Sequence, residues 1–76
     1  MHPLDHTAPP RNITRFQKEH GHPINGYRVK IKGATYYHLR YFSIPAGDET
    51  SPAAWRTALK NAIIHLRHIK AEHNIT

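Results

Sequence analysis

The residues of this chain with the most directed chemistry are Arg28, Lys30 and Lys32, which alternate with Tyr27, Val29 and Ile31. Successive side chains of an extended strand point to opposite faces, so an apolar set held by a core sends the three cations out together, spaced by about 7 Å. That spacing resembles the phosphate repeat along one DNA strand. Taking Tyr37 and Leu39 of the following aromatic run as buried places Tyr36, His38 and Arg40 on the same outer face. Arginine pairs bidentately with guanine, lysine reaches phosphate or guanine, and tyrosine and histidine meet thymine methyl groups or sugars.

The overall charge agrees with a polyanionic partner. Eleven Lys and Arg oppose five Asp and Glu, for a formal net charge of +6 and a sequence pI near 10.1. The excess is concentrated, because Arg11, Arg15, Lys18, Arg28, Lys30, Lys32 and Arg40 face only Glu19 between positions 11 and 44. Charge of this kind marks nucleic-acid binding more than fold.

Catalytic and metal chemistry find little material. His20 and His22, or His65 and His68 at a three-residue step, are possible metal-ligand pairs, but neither comes with a matched third ligand or carboxylate. No nucleophile elbow or phosphate loop occurs, and Asp5, Asp48 and Glu49 fall in tail or loop sequence. The expectation is a binding domain with no catalytic residue, metal, cofactor or small-molecule substrate.

These side chains need elements to position them. Residues 1–10, with Pro3, Pro9 and Pro10, are expected to form a flexible arm, and 11–76 the folded domain. NITRFQK, 12–18, predicts a first strand, and EHGHPING a loop. The alternation at 27–32 predicts a second strand. A turn around Gly33 leads into TYYHLRYFSI as a third strand, antiparallel to the second. Ser51 before Pro52 is a helix start, and Trp55, Ala58, Leu59, Ala62, Ile63, Leu66 and Ile69 recur at helical spacing. The predicted fold is α+β, a three-stranded antiparallel sheet packed on one C-terminal helix over roughly 52–72. Leu39 and Phe42 have opposite parity, which predicts a bulge near Arg40 or Tyr41. Ile13 and Phe16 pose the same conflict in the first strand.

Seventy-six residues fit one small domain with a thin core, and without cysteine it relies on packing alone. No apolar run reaches the roughly 18 residues of a membrane span, and MHPLDHTAPP lacks the apolar stretch of a secretory signal. A cytoplasmic location, in a bacterial host cell or on its nucleoid, is expected, with no membrane partner.

The series Ile13-Thr14-Arg15-Phe16, Gly26-Tyr27-Arg28-Val29-Lys30-Ile31, Tyr41-Phe42-Ser43 and the Ala-rich segment from Ala53 through Arg67 resembles the AP2-like DNA-binding domains of bacterial and phage proteins. Related domains stand at the N-termini of tyrosine integrases. The resemblance covers roughly residues 12–70. It implies three antiparallel strands on one helix, with the exposed sheet face docked in the major groove of double-stranded DNA. It also implies a place in a phage or mobile-element integrase, nuclease or regulator. Carried over by position, its DNA face falls on Arg15, Arg28, Lys30, Lys32, Tyr36, His38 and Arg40, and its core on Leu39, Phe42, Ala58 and Ala62. Two other classes fit the same charge. An RNA or single-strand binder would stack bases on Tyr36, Tyr37 or Tyr41, and a protein-interaction module would meet an acidic partner.

Overall fold

The computed structural model describes residues 9–73; the expected arm falls almost wholly outside them. Three strands, β1 (Ile13–Phe16), β2 (Gly26–Lys32) and β3 (Tyr37–Ser43), form one antiparallel sheet in the order β1-β2-β3, followed by helix α1 (Pro52–Glu72). The predicted α+β arrangement is therefore the observed one.

β1 is shorter than its sequence window. Asn12 enters with a left-handed φ of 79°, and its side-chain amide donates to the Lys30 carbonyl at 3.0 Å. Beyond Phe16 a 3-10 turn, Lys18–His20, takes over. The Lys18 amide there donates to Asn25 Oδ1 at 2.8 Å, closing the loop back on the start of β2. Gly26 opens β2 at φ 151°, opposite both Phe16 and Ser43, where an added Cβ would collide with the Phe42 carbonyl oxygen. Only glycine fits this close approach of two strands.

α1 begins as its sequence dictates. Ser51 is the N-cap, its hydroxyl accepting from the Ala54 amide at 3.3 Å, and Pro52 occupies the first turn, where its missing N–H costs nothing. One stripe, Trp55, Ala58, Ala62, Leu66 and Ile69, is buried against Ile13, Tyr27, Val29, Ile31 and Ile44. The small Ala58 and Ala62 let the helix sit close on the sheet, and Ala62 and Val29 are both fully buried. Trp55 anchors the start: its ring meets Tyr27 edge-on at 5.8 Å, and its indole N–H donates to the Glu49 carbonyl at 2.8 Å.

β3 departs from the expected facing. Its ladder with β2 is unbroken and pairs Tyr27 with Phe42, Val29 with Arg40 and Ile31 with His38, so no bulge interrupts it. Directly paired residues share a face. The helix side of β3 therefore carries His38, Arg40 and Phe42, and the open side carries Tyr37, Leu39 and Tyr41. Leu39, expected in the core, is 40% exposed, and Tyr37 is 59% exposed. Phe42 and Ile44 share a parity and pack toward the helix, which fixes the register. β3 is an edge strand, so the exposed Arg40 head reaches past the helix flank to water, while the half-buried His38 meets the helix.

Candidate nucleic-acid interface

The open side of the sheet, opposite α1, is built from cross-strand neighbours. Arg28 lies between Thr14 and Tyr41, Lys30 beside Leu39, and Lys32 beside Tyr37. A row of cations thus runs along the central strand, flanked by a Tyr-Leu-Tyr row on β3, with facing Cβ atoms about 5 Å apart. Tyr41 is 49% exposed. Lys30 and Lys32 are exposed and Arg28 is half-buried. The Arg28 guanidinium rests 4.8 Å over the Phe16 ring, which in turn neighbours Tyr41 at 6.4 Å and His22 at 4.6 Å. That packing holds Arg28 in place, whereas the two lysines extend freely. No carboxylate lies on any of the three strands, so the face is cationic without local compensation.

Of the residues expected on this face, Arg28, Lys30 and Lys32 are there. Arg15 pairs with Tyr27 on the helix side, and its guanidinium stacks 4.3 Å over the Trp55 ring. Burial pushes the Tyr27 phenol above its usual pKa, with the nearby Arg15 charge opposing that rise. Arg40 sits on the helix side with its guanidinium 5.0 Å over Phe42. Tyr36 precedes β3, half-buried in the turn, where its ring stacks on His73 at 5.0 Å and 10° between planes. His38 turns to α1, its Nε2 lying 2.7 Å from Nε2 of His65. One ring must donate and the other accept, so this bond needs at least one neutral imidazole. Burial, and after it the charges of His38 and Arg40, holds His65 below the usual histidine pKa.

Sequence reasoning missed Thr14, Phe16, Tyr37, Leu39 and Tyr41 as members of the open face. The available signal was Ile44: counted with Phe42 as core, it sets the parity of the whole strand. Among the described residues, no group of three or more His, Cys, Asp or Glu could hold a metal ion, and no helix is long and apolar enough to cross a membrane. Comparison with models of known families, with curated proteins and with solved structures finds no match.

Proposed function

We propose that this chain is a double-stranded DNA-binding domain that lays the open face of its sheet into the major groove. The observation that carries the reading is the uncompensated row Arg28, Lys30, Lys32 on the central strand, set beside exposed Tyr37, Leu39 and Tyr41. β2 and β3 are seven residues each, about 23 Å long, and a two-stranded ribbon of that kind fits the roughly 12 Å major groove. The lysines neutralise phosphates. Arg28, steadied by Phe16, is placed for a bidentate guanine contact, and the Tyr-Leu-Tyr row meets sugars and thymine methyls. Binding, not catalysis, is the activity in this reading.

The AP2-like resemblance implies the same docking mode. On that basis we place the domain in a cytoplasmic integrase, nuclease or regulator of a phage or mobile element. A second reading draws on the exposure of Tyr37 and Tyr41, rings on which unpaired bases of RNA or single-stranded DNA could stack. Duplex is preferred because the cations form the central row and the tyrosines its margin, whereas a single-strand platform needs its rings central. Titration of labelled duplex, single strand and RNA of one sequence across a salt series decides between them. Tightest binding to duplex, weakening as salt rises, supports the proposal. Tighter binding to the single strand or RNA overturns it.

A further inference from the structure

We propose that the outward flank of α1 is a docking surface for an acidic amphipathic helix of another protein, a role separate from the sheet face and from DNA. α1 has more apolar surface than its core contact uses. Beside the buried stripe, Leu59 and Ile63 are half-buried and Ile64, further round, is 53% exposed. These three, with Arg56, Lys60 and Arg67, line a shallow open groove of about 520 Å3 on the helix. Its walls are mostly carbon, since the Arg and Lys stems lie along the apolar side chains while their charged heads reach water. The helix packs on β2 and β3, and β1, with four residues, is the shortest strand.

Charge selects the occupant. α1 carries Arg56, Lys60, Arg67 and Lys70 against one carboxylate, Glu72 at its last position. None of the six groove residues is acidic. A second copy of this chain would bring the same cations to the same rim, and like charges placed together disfavour that pairing. Duplex DNA would satisfy the cations but leave Leu59, Ile63 and Ile64 against a sugar-phosphate backbone. A bilayer surface suits a broad apolar face with bulky aromatic anchors, whereas the apolar side chains of this flank are the three aliphatics Leu59, Ile63 and Ile64, with no aromatic among the six lining residues. A helix with apolar residues at i, i+3, i+4 and i+7 and carboxylates beside them meets both demands. From Arg56 to Arg67 the groove runs about 17 Å, the length of three helical turns.

The test is a titration of the isotopically labelled chain, followed residue by residue, with a synthetic acidic amphipathic peptide of about 16 residues bearing leucines at that spacing and glutamates elsewhere. A scrambled peptide of the same composition, a copy with lysine for every glutamate, and vesicles of mixed phosphatidylserine and phosphatidylcholine are run beside it. The acidic peptide is expected to give saturable shifts confined to residues 56–67. The scrambled peptide should bind about tenfold more weakly and the lysine copy not at all. Ile64→Glu, at an exposed position that leaves the fold intact, should weaken the acidic peptide about tenfold or more, and Arg67→Glu should weaken it too. The proposal is overturned if the acidic peptide leaves 56–67 silent, or if its shifts map to the strands. It is equally overturned if the scrambled peptide binds as tightly, if Ile64→Glu changes nothing, or if vesicles engage these residues more strongly than the peptide.

Discussion

Consider the variant in which the central row is neutralised, Arg28→Gln with Lys30→Ala and Lys32→Ala. The two lysines are exposed and make no hydrogen bond through their side chains among the described residues, and Gln at 28 keeps a stem over Phe16. The fold should survive. Each cation that neutralises a duplex phosphate contributes about 0.9 to the slope of log affinity against log salt, so losing the two lysines should flatten it by about 1.8, while losing the Arg28 guanine contact lowers affinity on the preferred sequence by roughly 1 to 3 kcal/mol. Between about 50 and 200 mM salt, a slope of that size amounts to roughly a 12-fold change in affinity, which the variant should no longer show. Fluorescence anisotropy with a short labelled duplex at four or five salt concentrations measures it directly. The matched control, Arg56→Ala with Arg67→Ala on α1, removes charge from the other side of the molecule and should leave the slope nearly unchanged. If the helix pair flattened the slope by about 2 units while the strand variant kept it, the sheet could not be the phosphate-contacting surface.

Other outcomes follow from the packing. Trp55→Ala should cost about 3 to 5 kcal/mol, enough to unfold most of so small a domain, as read by urea denaturation. Leu39→Ala should change stability by less than about 0.5 kcal/mol while Phe42→Ala costs roughly 2, and the reverse order would mean that β3 is turned over. Acidification should destabilise the chain through His65. Its folded pKa lies below the ordinary value because of burial and then the charges of His38 and Arg40, so the unfolded chain binds the proton more readily. The contribution is complete above about pH 6.5 and is lost as pH falls through the lower folded pKa. Urea midpoints at pH 8 and pH 5 should differ by less in His65→Gln than in the parent, and equal differences would refute this origin.

How much was legible varied with the redundancy of the signal. α1 was readable to its ends because the Ser51 cap, Pro52 and a seven-residue stripe all agree. β2 was readable because its apolar and cationic positions never conflict. β3 was not, since Tyr37, Leu39 and Tyr41 are more apolar than the opposite set, His38, Arg40 and Phe42, that faces the helix, and a one-residue choice turns every side chain over. The expected bulge was a way to bury both Leu39 and Phe42. The chain instead leaves Leu39 outside, and the aromatic row of the candidate interface results. Arg15 was misplaced for a different reason: a cation beneath an indole ring is a tertiary contact, with no trace in local pattern.

Docking of DNA on the open sheet face through Arg28, Lys30 and Lys32 can be read residue by residue by titrating duplex DNA into the labelled chain and following every backbone amide. Shifts are expected to centre on 28–32 and 37–41, with Arg56, Lys60 and Arg67 little changed. Shifts centred on the helix, with both strands silent, would contradict it even if the affinity for DNA were high.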